Sequence, residues 1–179
     1  MQQAIEIGLQ GFAITDHHSV AGYKQAEQYL QKLTANDTIE NSPHLWTGIE
    51  ITSKLLEVEI HILGYGFDPE HSSIAKYLTG EKPQGKSALA KQVIDSIHRA
   101  GGLVVLAHPE RYRRSANTLI PAVAELGIDG VETYYAYNNP KICQPSPAQT
   151  EQVRALAEKY HLYNTCGTDT HGTNLLQRI

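Results

Sequence analysis

Short, largely apolar runs recur along this chain, and each one carries histidine or carboxylate side chains within it or at its end. The run Phe12-Ala13-Ile14 leads to Asp16, His17 and His18, and "LWTGIEI" (residues 45–51) carries Glu50. "EVEIHILGYG" (57–66) carries His61, "LVVLAHP" (103–109) carries His108, and "LYNTCGTDTHG" (162–172) leads to Asp169 and His171. Segments with helical spacing separate most of these runs, and strands alternating with helices predict an α/β fold built on a largely parallel sheet or a barrel. In such folds the carboxyl ends of parallel strands open on one face, so residues far apart in sequence can share one mouth.

The intervening pattern supports one domain across residues 1–179, with no repeat, low-complexity tract or interdomain linker. A short helix is expected near the start, where Ala4, Ile5, Gly8 and Leu9 share one face, followed by a strand at 11–15. Helical spacing runs from Val20 to Leu33 through Ala21, Ala26, Tyr29 and Leu30, and "TANDTIENSP" (34–43) reads as a polar loop. Helices are also expected at 87–100, at 116–126 with Pro121 kinking or starting it, and after Ser146. Ser146 is a candidate N-cap with Pro147 in the first helical position. A further strand, "GVETYY", covers 130–135.

Charge and cysteine content narrow the function classes. A net charge of −4 gives no general field for nucleic acid or an anionic membrane, so anion binding has to be local. Two cysteines, Cys143 and Cys166, are too few for a disulfide framework and lack metal-type spacing, which points to reduced thiols and a cytoplasmic setting. No apolar run approaches a membrane span.

Histidine and carboxylate without cysteine suit Zn, Mn or Fe. Each motif alone has a plainer reading: His61 as a satisfied strand histidine, Glu50 as a charged strand end, "TDTHG" as an Asx-type turn. Asp16 fits a direct ligand or a partner that orients a histidine. Recurrence at five strand ends is what favours a shared site. His44, His71, His98 and His161 lie away from those ends and read as solvated surface histidines.

In the order T-D-H, G-I-E, I-H-I-L-G-Y, A-H-P-E-R-Y and G-T-D-T-H, the chain resembles the PHP family, the polymerase and histidinol phosphatase domain, over almost its whole length. The resemblance implies a distorted seven-stranded (β/α) barrel that binds up to three divalent metals at its mouth. It implies that Glu50 bridges two metals and that His61 and His108 complete the second site. Asp169 would serve the first site, while His17 and His171 would share the third. Arg111 would hold a substrate phosphate, and its planar fork suits that role. His18 stands where relatives often carry an acidic residue and is a candidate acid or orienting donor.

The family's opening H-x-H pair and its following aspartate are not found in this chain. The expectation is therefore an N-terminally truncated PHP-type domain, apparently missing its first strand, with only the Glu50, His61 and His108 site complete and little activity of its own. The resemblance implies a metal-dependent phosphoesterase acting on nucleotides or short oligonucleotides. Long duplex nucleic acid and membranes are not expected partners. A degenerate, non-catalytic module, a histidinol-phosphate phosphatase and an amidohydrolase on a similar barrel are the competing readings.

Overall fold

The computed structural model describes residues 1–35, 42–138 and 143–177. Most of the expected polar loop, residues 36–41, lies outside the described residues. In chain order the elements are α1 (Gln2–Glu6), β1 (Gly11–Ala13), α2 (Ala21–Ala35), β2 (His44–Trp46), β3 (Gly48–Leu55) and β4 (Val58–Tyr65). They continue with α3 (Ala90–Arg99), β5 (Leu103–Leu106), α4 (Ala116–Glu125), β6 (Gly130–Tyr134), α5 (Pro147–Lys159) and β7 (Tyr163–Cys166).

These strands form a mixed sheet system rather than a largely parallel one. β3, β4 and β5 pair antiparallel, whereas β5, β6 and β7 pair parallel in a five-stranded sheet ordered β3-β4-β5-β6-β7. The reason for the difference lies at Leu56 and Glu57. A two-residue link can join only antiparallel strands, and both residues take positive φ, at 48° and 62°, as a hairpin turn of the I′ type requires. β1 and β2 make a separate parallel pair. The single strand expected over 45–51 is divided at Thr47, whose hydroxyl instead donates to Phe67 O at 2.7 Å. Among the described residues no ladder closes the two sheets into a barrel.

A backbone bridge nevertheless ties the exit of β1 to β3. His18 N–H donates to Glu50 O at 2.9 Å, and Glu50 N–H donates to Asp16 O at 3.0 Å. The approach is close enough that a Cβ at Gly48 would stand 2.4 Å from Ile14 O, which explains a glycine there.

Strand alternation sorts the two faces. Ile49, Ile51, Ile60 and Ile62 are fully buried and pack with Val104, Leu106 and Val131 against the helices. α3 supplies Ala90, Val93, Ile94 and Ile97, the i, i+3, i+4, i+7 stripe of an amphipathic helix, and ends at Gly101 with φ 81°. Each such isoleucine contributes about 1.5–3 kcal/mol by leaving water. The alternate residues, Glu50, His61, Leu63, Val105, Ala107 and Glu132, fall on the opposite face. Helix packing thus fixes the strands, and the other face is left for chemistry.

Two local expectations change. α4 begins at Ala116, so Pro121 lies inside the helix and does not start it. Ser146 does precede α5, but its hydroxyl makes no cap bond and instead accepts from Tyr137 N at 3.0 Å.

Candidate metal centre

Glu50 is the hub. Its carboxylate is buried on the face away from the helices, and three imidazoles converge on it. His61 Nδ1 lies 2.6 Å from Oε1, His108 Nε2 lies 3.4 Å from Oε1, and His17 Nε2 lies 3.8 Å from Oε2. β3 supplies the carboxylate, β4 and the end of β5 supply two rings, and the turn after β1 supplies the third. Four of the expected site residues are brought together.

Two of the three separations suit donors that share a cation. Ligands about 2.1 Å from a tetrahedral Zn stand roughly 3.4 Å from one another, close to the His108 and His17 separations. His61 Nδ1 is near enough to Glu50 for a hydrogen bond but out of line for one, and it has no other partner although it is buried. Ligating atoms of His17, Glu50 and His61 all lie within 4.8 Å of one another. Nitrogen and carboxylate donors without thiolate suit Zn, Mn or Fe.

The electrostatics follow from burial and from those rings. Burial alone pushes the Glu50 carboxyl up, but the His108 and His61 rings beside it, together with His17, outweigh it and hold it well below the usual carboxylate range. Burial lowers His108, only partly offset by Glu50. Burial also lowers His18, and neighbouring His17 and His61 add to the effect.

Asp169, His171 and Arg111 form an adjoining group rather than joining the Glu50 cluster. Asp169 Oδ2 accepts from Arg111 Nη1 at 2.9 Å and from the Tyr135 hydroxyl at 2.6 Å. Arg111 Nη1 also donates to the Tyr135 oxygen at 3.0 Å. His171 Nδ1 stands 3.5 Å from Asp169 Oδ1, and its ring centre is 6.4 Å from that of His17. The guanidinium expected at a phosphate is paired here with the aspartate expected at a metal.

Backbone strain marks the same region. His18, His108 and Asp169 have φ of 55°, 26° and 49°, and such left-handed non-glycine residues cost about 1–3 kcal/mol each. Three strained backbones around one cluster mean that the surroundings hold them there. Asp16, left open between two roles, uses Oδ2 to accept the Gly22 amide at 2.9 Å.

Sequence reasoning missed three residues here. Tyr112 accepts the His61 amide at 2.8 Å and donates to Ala107 O at 3.2 Å, linking β4 to the segment that carries His108. Tyr135 holds Asp169. Glu132, nearly fully buried, accepts the His108 amide at 2.8 Å, and burial first, then the charges of Glu50 and Asp169, push its carboxyl up to about 8 against an opposing hydrogen bond from His108. A glutamate inside the otherwise uncharged strand "GVETYY" was the available signal. Of the histidines set aside as solvated, His98 pairs with Asp129 at 2.8 Å and His71 with Ser73 at 2.8 Å, so neither is simply solvated.

No protein-family model matches the chain. It is 40% identical over 84 residues to the 5'-3' exoribonuclease Rnm of Escherichia coli, a match covering 45% of this chain and 26% of that protein. It is 21% identical over 241 residues to a 5'-3' exoribonuclease of Haemophilus influenzae, covering 96% of this chain and 82% of the other. The chain therefore spans about a quarter of the length of the E. coli relative and most of the H. influenzae one. Among solved structures it resembles a proposed metal-dependent phosphoesterase of Bifidobacterium adolescentis, with TM-score 0.72, 22% identity, 96% of this chain and 80% of the other covered. It also resembles an amidohydrolase of Chromobacterium violaceum holding sulfate and no metal, with TM-score 0.76, 17% identity, 99% of this chain and 83% of the other covered. No helix among the described residues is long and apolar enough to cross a membrane. At these identities the solved structures establish one thing, a mixed α/β fold shared over nearly the whole chain.

Proposed function

We propose that this chain is a metal-dependent phosphoesterase that hydrolyses phosphate esters of nucleotides or short RNA. The observation that carries the reading is the meeting of one buried carboxylate, Glu50, with His17, His61 and His108, beside an arginine on the same rim. Likeness to 5'-3' exoribonucleases over most of the chain supports RNA or nucleotide as the substrate class. On this reading the two sheets are parts of one barrel wall within a single PHP-type domain.

Glu50, His17 and His61 would hold the principal cation, with His108 beside Glu50 as a further donor, and Asp169 with His171 would serve a neighbouring one. The chemistry such residues would gain from a bound divalent cation is Lewis acidity and a water acidified from a pKa of about 15.7 toward 7. Arg111 orients the phosphate, because its planar guanidinium can donate two parallel hydrogen bonds to one phosphate. Its pairing with Asp169 holds it at the rim in advance. His18 contributes its backbone, which fixes the β1 exit against Glu50. Its ring stays neutral near pH 7 because its pKa is lowered, so it makes a poor reservoir for the proton a leaving oxygen requires.

The test joins metal titration to a substrate panel. Chain stripped with chelator is titrated with Mn or Zn, then assayed on 5'-phosphorylated RNA oligonucleotides, adenosine bisphosphate, histidinol phosphate and an N-acyl amide. The expected result is cation binding and cation-dependent release of phosphate or nucleotide, both lost in Glu50→Ala. Failure to bind a cation, which the non-catalytic module predicts, overturns the reading. Cleavage of the amide in preference to every phosphoester does so as well.

A further inference from the structure

We propose that Glu132 is a positioning residue for His108, its carboxyl oxygen holding the His108 backbone in the one conformation that turns the ring onto Glu50. The inference rests on the metal-centre reading above and adds a residue to it.

The β5–β6 ladder pairs Val105 with Gly130 and Leu106 with Val131, and then stops. His108 lies two residues past it with φ 26° and ψ 62°. Two local forces oppose that shape. The Cβ of an L-residue disfavours the left-handed region, and Pro109 biases its predecessor toward extended backbone. In this turn the His108 amide points into the sheet, where no carbonyl is paired with it. Glu132 Oε2 accepts it at 2.8 Å from the neighbouring strand. Without that acceptor a buried N–H is stranded beside the ligand, and the chain regains most by relaxing toward extended backbone. Such relaxation swings the imidazole away from Glu50, now 3.4 Å from its Nε2.

The other carboxyl oxygen lies against the end of β7. A Cβ at Gly167, just beyond β7, would stand 2.1 Å from Glu132 Oε1. The carboxyl group therefore spans from the end of β5 to the end of β7, wedged between an amide and a glycine that leaves it room. A β6–β7 register shift between Glu132 and Tyr134 falls at the same place. Strand pairing alone does not need a glutamate here; the amide of His108 does.

Glu132→Ala, Glu132→Gln and Gly167→Ala in the full chain separate these roles. Two readouts are taken: hydrogen exchange of the His108 amide by NMR in chelator, and Zn or Mn affinity by calorimetry. Partners that orient a metal ligand are typically worth about 10–100-fold in affinity, and that loss is expected for Glu132→Ala, with fast exchange at the His108 amide. Glu132→Gln keeps an acceptor oxygen, so it retains slow exchange and stays within about threefold of wild type. Gly167→Ala, which displaces the carboxyl group without removing it, weakens binding and speeds exchange in parallel. Wild-type affinity in Glu132→Ala overturns the proposal, as does an equal loss in Glu132→Gln. If the unsubstituted chain binds no cation, the metal-centre reading fails first and is identified as the failure.

Discussion

Replacing Glu132 with glutamine should stabilise the cation-free protein, and by an amount that grows with pH. Glu132 is buried, and its carboxyl is pushed from an ordinary 4.5 up to about 8. Between those values the folded chain holds a proton that the unfolded chain has released. Stability falls with rising pH wherever the unfolded state binds fewer protons, so the wild type loses stability across that window. Each tenfold of displaced equilibrium is worth about 1.4 kcal/mol. From 4.5 to pH 7 this gives about 3 kcal/mol, and the full interval to about 8 gives roughly 5 kcal/mol. Glutamine is neutral throughout, accepts the same His108 amide, and escapes the loss. Urea denaturation of both proteins in chelator, from about pH 5 to 8, measures the difference directly. It should be under about 1 kcal/mol near pH 5 and approach 3 kcal/mol at pH 7. An offset that does not change with pH would refute the reasoning, because a packing or hydrogen-bond effect of the substitution has no reason to follow the titration of a carboxyl.

The acid side of the same experiment tests Glu50. Its carboxyl lies below the usual range, so the stability it contributes is present above about 4.5 and is lost as pH falls through its depressed value; Glu50→Gln should flatten that limb. A change remote from the centre tests the hairpin. Leu56→Asn with Glu57→Gly relieves two left-handed residues and should add about 1 kcal/mol per site, read as a rise in urea midpoint with unchanged slope.

The parts of the molecule legible in the sequence are those whose signal is local. The helical stripe of α3 and the β-branched run of β5 announce themselves within ten residues, and the ligand-bearing positions stand out because each interrupts an apolar run. The sheet's direction was less legible. The reversal between β3 and β4 depends on two non-glycine residues adopting positive φ, which neither Leu56 nor Glu57 advertises. Ser146 looked like a cap by position, but a side chain that caps α5 or serves Tyr137 has the same one-letter code. Glu132 and Tyr135 were hidden for a related reason. Their partners, His108 and Asp169, are distant in sequence, and only the parallel ladders β5–β6 and β6–β7 bring them close.

The charge balance of the centre explains why these residues belong to one system. Three acidic side chains, Glu50, Glu132 and Asp169, face this region, and burial penalises the ionised forms of Glu50 and Glu132. Asp169 is compensated by Arg111 and Tyr135. Glu50 is compensated by imidazoles, although burial lowers His108 and so weakens one of those rings as a source of positive charge. Glu132 accepts a backbone amide and has Arg111 nearby, but burial and the charges of Glu50 and Asp169 prevail and it holds its proton. The centre thus has more acidic groups than permanent cations to match them, and Arg111 is already committed at its edge. A divalent cation beside Glu50 would relieve both the desolvated carboxylate and the repulsion it exerts on Glu132. Burial that would be a liability for an ordinary cluster of acids would, on the proposed reading, be the source of the attraction for a metal at this face of the sheet.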